Sequence, residues 1–449
     1  MRLTLIFIVI GICSLPFKVT GQNANSVITL DEAIEQSLLH NQDILIQENN
    51  LKASVYKIKE TYSRLLPSLS TFGQFQVRKG GQFIEQQSEF VNNAKTDNFY
   101  GAIDANINIF NGFNNLNSIQ ESKNNKDAQE QLLKRTKQDV ILEISTLYLK
   151  CLISKELILI IENNLNTQET ILEKVANEAE LGKRAEIDLY LQKAEIEKLK
   201  LELLKAKGIF NNDKASLTSL IGSEPNTNID VVEPLKLIPQ TLSDSTTTKV
   251  DSLYKIALGK RPDLLRANSN IKAAKNRIRI QGSSILPTLS AFYSYNTGYN
   301  SGFINDFQTQ IDDNLLNEYG LRLSIPLFNN LKGRSARQQA KVDFFNAELE
   351  KEKLELQIIQ QISIAHQNYL EALKTLIQTE KQLTHAELVY ELETERFDLG
   401  ISDIKRYSEA TDDIVKTRSD AIQAKYTLMF QEIFLEYALG SLKYGTIKY

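Results

Sequence analysis

This chain says nearly the same thing twice, about 220 residues apart. Asn41-Gln42-Asp43-Ile44-Leu45 returns as Arg261-Pro262-Asp263-Leu264-Leu265. Leu66-Pro67-Ser68-Leu69-Ser70 returns as Leu286-Pro287-Thr288-Leu289-Ser290, at the same offset of 220. Ile109-Phe110-Asn111-Gly112 matches Leu327-Phe328-Asn329-Asn330, Leu181-Gly182 matches Leu399-Gly400, and Ile221-Gly222-Ser223 matches Leu439-Gly440-Ser441, all at 218. Five anchors in one order with a nearly constant offset mark a duplicated, domain-sized unit. The period is too long for a solenoid repeat.

The first residues are set apart from fold reasoning. Arg2 is a basic start, residues 3–12 are apolar, and Val19-Thr20-Gly21 offers a small-residue cleavage site, so residues 1–21 are expected to be an export signal. Pro16 and Lys18 make the stretch too short and too interrupted for a membrane anchor. Losing Arg2 and Lys18 takes the formal charge from −4 to about −6, which does not suggest a nucleic-acid partner. One cysteine, Cys151, remains, so no intrachain disulfide can form.

Within a repeat the apolar period changes twice. Residues 29–65 read as one helix, opened by Thr29 with Glu32 three positions on, a capping-box arrangement. Pro67 ends it, because proline lacks an N–H and pushes Leu66 into an extended conformation. The period then becomes two. Residues 71–77 read as a strand, and 98–110 more clearly so, with Phe99, Ile103, Ala105, Ile107 and Ile109 on one face. Tyr100, Asp104, Asn106 and Asn108 fall on the other. In the second repeat, Tyr319, Leu321, Leu323, Ile325 and Leu327 alternate with Gly320, Arg322 and Ser324, beside a Tyr- and Ser-rich partner at 287–297. Strands of this length can cross a bilayer when tilted. A small soluble sheet with one wet face would show the same alternation; the export signal and the strand length favour the membrane. The polar stretches 78–97 and 298–318 read as exposed loops.

From Asn114 the chain turns helical again. Val140, Ile144, Leu147, Cys151, Ser154, Ile158, Ile161, Leu165, Gln168, Leu172, Val175 and Ala179 keep a strict 4-3 spacing; ten of the twelve are apolar, which makes a coiled-coil seam. A helix of that length spans about 100 Å. Residues 334–399 repeat the rhythm. Gly182 and Gly400 end the long helices, as glycine does where positive φ is needed, and return helices over 185–220 and 403–439 make each unit a helical hairpin. The 36 residues at 30–65 and the 36 of the return helix together match one long helix, so each repeat can pair one long helix with two short ones. Cys151, on the seam, is expected to be a buried small hydrophobe.

The chain thus divides into a leader (1–21), repeat 1 (22–223), an inter-repeat segment rich in Pro, Ser and Thr at 224–250, repeat 2 (251–441) and a tail (442–449). The inter-repeat segment and the tail are expected near mid-height on the helices. The fold class is mainly helical with transmembrane β: four strands per chain plus long coiled-coil hairpins. Four strands leave unpaired edges, which lipid does not tolerate. Three chains would close a twelve-stranded barrel and an α-helical barrel beneath it. Asp104, Asn106, Asn108 and Arg322 would then line its lumen.

These segments carry a resemblance. Leu30-Asp31-Glu32-Ala33-Ile34, Arg261-Pro262-Asp263-Leu264, the two Leu-Pro-x-Leu-Ser segments, Ile325-Pro326-Leu327-Phe328-Asn329 and the Leu-Gly tips resemble, as an ordered and duplicated set, the TolC-like outer-membrane efflux proteins over essentially the whole mature length. The resemblance implies a homotrimeric channel in the outer membrane of a Gram-negative bacterium, extending into the periplasm. It implies a periplasmic adaptor (membrane fusion protein), an inner-membrane pump of RND or ABC type, contact with outer-membrane lipid, and no catalysis, cofactor or metal. By the same resemblance Leu181, Gly182, Leu399 and Gly400 meet the adaptor, and Asp188 holds the acidic position of the first tip. The second tip departs from the pattern: Arg406 stands where the family commonly has Asp, and Glu409, then Asp412, become the candidates for an acidic ring that gates the pore. Arg406 could instead pair with a neighbouring tip carboxylate.

Two other functions fit a chain of this kind: the outer-membrane conduit of a type I protein secretion system, and a periplasmic adaptor or coiled-coil scaffold. The second would need a flattened β-sandwich split around a hairpin, and no such halves are visible. An enzyme finds no support: His40, His366 and His385 are far apart and no nucleophile, phosphate-loop or metal spacing occurs.

Overall fold

A computed structural model describes residues 26–222, 229–233 and 250–443. The expected leader, most of the inter-repeat segment and most of the tail lie outside the described residues. The element order is β1 (Ser26–Ile28), α1 (Leu30–His40), α2 (Gln42–Ser63), β2 (Ser68–Ile84), β3 (Glu89–Asn111), α3 (Asn114–Glu180), α4 (Glu186–Ile221), β4 (Ile229–Val231), α5 (Val250–Lys260), α6 (Pro262–Gly282), β5 (Thr288–Asn300), α7 (Phe307–Asp313), β6 (Leu316–Ser324), α8 (Lys332–Asp398) and α9 (Ile404–Leu439). The duplication is visible throughout: α1–α2, two strands and the α3–α4 hairpin recur as α5–α6, two strands and the α8–α9 hairpin.

The single helix expected over 29–65 is two. The capping box at Thr29 and Glu32 starts α1 as expected. At Asn41 the backbone is extended, and the side-chain oxygen accepts from the amides of Asp43 and Ile44, so α2 begins with its own cap. The equivalent break in the second repeat falls at Arg261-Pro262, with proline at the first position of α6. Helices α2 and α4 still lie along opposite halves of α3, with α1 packed between.

Both long helices contain 67 residues, about 100 Å each. Every one of the twelve seam positions of α3 is buried or half-buried. Its two polar members are satisfied across the hairpin: Ser154 donates to Asp213 at 2.6 Å, and Gln192 donates to the Gln168 carbonyl and side chain at 3.0 and 2.7 Å. Cys151 is fully buried, and that burial pushes its thiol up to about 12.

Two apolar cores sit near mid-height, one around α3 and one around α8. The first gathers Leu30, Ile34, Ile144, Tyr148, Leu217 and Tyr426. The second gathers Leu253, Leu264, Ile358, Ile362, Tyr369 and Leu435. In the inter-repeat segment, β4 pairs in parallel with β1, and the Tyr148 hydroxyl donates to the carbonyls of Ile28 (2.9 Å) and Val232 (2.7 Å). In the second core Arg261, 2% exposed, forks onto Asp263 at 3.0 and 2.6 Å and donates to the Ala438 carbonyl at 2.8 Å. Burial would raise the Asp263 carboxyl, but the bidentate guanidinium outweighs it and holds the group below the usual carboxylate range.

The four long strands form one antiparallel sheet in the order β2-β3-β5-β6, leaving β2 and β6 as open edges. Three boundaries differ from the sequence reading. Residues 78–97 are the continuation of the β2–β3 hairpin, still paired Arg78 to Thr96 and Ile84 to Glu89. Residues 298–318 hold the short helix α7. Strand β6 ends at Ser324, so Ile325 and Leu327 follow it, and a bulge between Asn108 and Phe110 places Phe110, not Ile109, opposite Leu289. Among the described residues no helix is long and apolar enough to cross a membrane.

Candidate conduit face and hairpin-tip gate

The strand register decides which side chains share a face. Asp104 pairs with Ser70 and Ser294, and Ser294 with Glu318; Asn106 pairs with Ser68 and Phe292; Asn108 pairs with Ser290, and Ser290 with Arg322. The four residues expected in a lumen, Asp104, Asn106, Asn108 and Arg322, therefore stand on a single face. Ser294 donates to Asp104 at 2.7 Å, and the Arg322 guanidinium lies 5.1 Å from the Phe292 ring centre. The opposite face carries Leu69, Ile103, Tyr293, Tyr295, Leu321 and Leu323. All six large side chains are exposed in the single chain.

At the far end of the long helices both hairpin tips close by the same backbone device. Gly182 has φ +68 and its amide reaches the Ala179 carbonyl at 3.0 Å, while Lys183 reaches that of Glu178 at 2.9 Å. Gly400, φ +71, repeats this with Phe397 (3.1 Å), and Ile401 with Arg396 (2.8 Å). These are Schellman caps, in which the left-handed residue must avoid a Cβ clash. Nothing lies within 4 Å of where a Cβ would be at either glycine, and Leu181 and Leu399 are 69% and 74% exposed. Two bare apolar tips thus point away from the molecule.

The tips also touch each other. Val175 of the first hairpin packs with Phe397, Ile404 and Tyr407 of the second in a small buried core. Phe397 stacks on Tyr407 with ring centres 4.8 Å apart, Lys174 pairs with Asp398 at 2.8 Å, and Arg184, itself bonded to Glu178 at 2.7 Å, covers the Phe397 ring. Sequence periodicity marked the seam of each hairpin but gave no sign of this tip-to-tip core, because pattern says which residues are inward and not which neighbour they meet. Between the tips lies a cleft of about 830 Å³ lined by Asp188 and Arg406 as well as Glu178, Arg184, Asp398 and Asp403.

Four candidate gate residues are therefore split. Asp188 and Arg406 share the cleft. Glu409 and Asp412 stand further along α9, with Glu409 exposed and 3.9 Å from Lys405. Among the described residues Arg406 pairs with no carboxylate of its own chain; its amide is capped by Asp403 at 2.8 Å. Partial burial raises the Asp412 carboxyl above its ordinary value; Lys198 on α4 opposes this, and Glu195 and Asp413 reinforce it.

A sheet with one polar and one apolar face, carried on paired helices about 100 Å long, is the architecture of an outer-membrane channel subunit. The chain belongs to the outer membrane efflux protein family, whose model matches residues 33–223 and 253–441. It is 20% identical over 441 residues to the outer membrane protein TolC of Escherichia coli K12, covering 97% of this chain and 86% of that one. It is 21% identical over 309 residues to TolC of Vibrio cholerae, covering 68% and 69%. The outer membrane protein VceC of Vibrio cholerae has the same fold: TM-score 0.77, 16% identity, 92% of this chain and 96% of that one. The protein is an outer-membrane efflux channel component, reaching from that membrane into the periplasm.

Proposed function

We propose that three copies assemble into one conduit, with twelve strands in the outer membrane and a helical tunnel below. The strand register carries this reading: it collects Asp104, Asn106, Asn108 and Arg322 on one face, apolar and aromatic side chains on the other, and leaves β2 and β6 with unpaired edges. In lipid each orphan backbone group costs several kcal/mol, so β6 of one copy pairs with β2 of the next. Residues 22–223 and 251–441 are then two pseudo-equivalent columns, joined at mid-height through 224–250, with 1–21 removed on export and 442–449 as a tail.

The hairpin tips are the periplasmic end. Leu181, Gly182, Leu399 and Gly400 dock a periplasmic adaptor (membrane fusion protein), which connects the tunnel to an inner-membrane pump of RND or ABC type. The cargo is small molecules, the chain binds no cofactor and performs no chemistry, and the apolar sheet face meets outer-membrane lipid. Asp188 and Arg406, then Glu409 and Asp412, form the gate. Electron microscopy of detergent-extracted protein tests the assembly: a three-fold particle with a stem of about 100 Å is expected, and a monodisperse single-chain particle overturns it.

A further inference from the structure

Beyond the level of Gln76, Asn98 and Asn300 only β2 and β3 continue, and they do not run straight. Their register is unbroken from Ser68–Asn106 to Gly80–Ala94, so Thr96 shares the face of Asn98, Asp104 and Asn106. At Gly80 it slips. Gly80 has φ +147, and Asn93, nearly opposite, has φ +69, so both strands bend at one level. In a straight hairpin Ile84 would stand six residues beyond Arg78, the partner of Thr96, and so roughly 20 Å above Thr96. Instead both side chains converge on Gly302: a Cβ there would lie 3.1 Å from Thr96 Cγ2 and 3.4 Å from Ile84 Cδ1. The fold-back is pinned. Gln86 donates from its side chain to the Phe303 carbonyl at 2.6 Å, Thr96 donates to Gln82 at 2.7 Å, and Gln82 donates to the Ala94 carbonyl at 3.1 Å. Thr96 is 2% exposed as a result.

The bend is toward the polar face. Strand alternation turns Phe83 away from the side that Ile84 presses on Gly302, and Phe83 faces Phe90 across the hairpin. These two rings are 63% and 65% exposed. We propose that the end of the β2–β3 hairpin folds inward over the lumen, so that Phe83 and Phe90 from three copies form an apolar constriction at the extracellular mouth. Such a ring resists hydrated ions and yields to apolar solutes, as hydrophobic constrictions do by dewetting. The inference rests on the channel reading above, which makes the polar face the lumen.

The test uses the full-length protein in the outer membrane of intact cells. Asn106→Cys places a thiol on the polar face, while Cys151 is buried and silent. Labelling by a charged, membrane-impermeant maleimide added outside is compared with and without Phe83→Ser and Phe90→Ser. The expected result is labelling roughly tenfold faster in the serine variant, at unchanged outer-membrane yield. Equal rates overturn the constriction while leaving the lumen intact. No labelling in either protein shows that Asn106 does not face an open lumen, which overturns the channel reading and this inference with it.

Discussion

The guanidinium of Arg184 sits 4.8 Å from the centre of the Phe397 ring, joining the tip of the first hairpin to the second. Arg184 is 13% exposed at its side chain and Phe397 is fully buried, so the contact is largely desolvated. Phe397→Ala removes the ring from both Arg184 and Tyr407 and is expected to weaken the tip core by about 3 kcal/mol. Amide hydrogen exchange over residues 175–190 should then accelerate, while exchange around Tyr148 at mid-height stays as in the native protein.

The acidic side chains of α9 give a prediction about ions. Glu409 is exposed and Asp412 is raised by partial burial. Like charges gathered round an axis repel as the opening narrows, so they favour cations and oppose closure. Glu409→Gln with Asp412→Asn is expected to lower the cation preference several-fold, read as the reversal potential across a planar bilayer under a salt gradient. Acidification of the native protein should act in the same direction, because protonating Asp412 removes the same repulsion.

Two glycines with nearly equal φ predict different costs. At Gly182, φ +68, a Cβ meets nothing within 4 Å. At Gly440, φ +73, it would lie 2.8 Å from Arg261 Cα and 3.0 Å from the Arg261 amide nitrogen. Gly182→Ala carries only the left-handed penalty of about 1–2 kcal/mol. Gly440→Ala adds a backbone collision against the buried Arg261–Asp263 pair. Thermal unfolding in detergent should rank native, Gly182→Ala and Gly440→Ala in falling order.

Buried carboxyls on α9 set a pH dependence. Glu432, 5% exposed, is pushed from 4.5 to about 7, first by burial and then by Glu436 one turn on. The folded chain keeps a proton that the unfolded chain gives up. Its stability is therefore highest below the ordinary glutamate value and declines as pH rises toward about 7. Glu432→Gln should flatten that decline, measured as melting temperature across the interval.

How much of this was legible in the sequence depends on whether a residue type carried the signal. The duplication, the coiled seams and the Leu-Gly tips were legible because 3.5-residue spacing and left-handed glycine leave marks in composition. The break at Asn41 was not, since asparagine inside a helical pattern reads as a surface residue until its side chain is seen capping Asp43 and Ile44. The aligned Arg261-Pro262 was the available clue. Residues 78–97 read as loop because their apolar and polar side chains do not alternate, which removes the period-two mark of a strand although the pairing continues. The shared face of Asp104, Asn106, Asn108 and Arg322 followed from alternation alone, whereas the tip core of Val175, Phe397 and Tyr407 needed the packing of one hairpin on another.

The equal lengths of α3 and α8, 67 residues each, bind the two halves of the gene together. A residue inserted in one column turns every later seam position by about 100° and lengthens that column by about 1.5 Å. It leaves the other column unchanged. A tolerated change in reach therefore arrives as a whole heptad, written into both repeats. The width of the gap the protein spans is thus inherited in steps of roughly 10 Å rather than continuously.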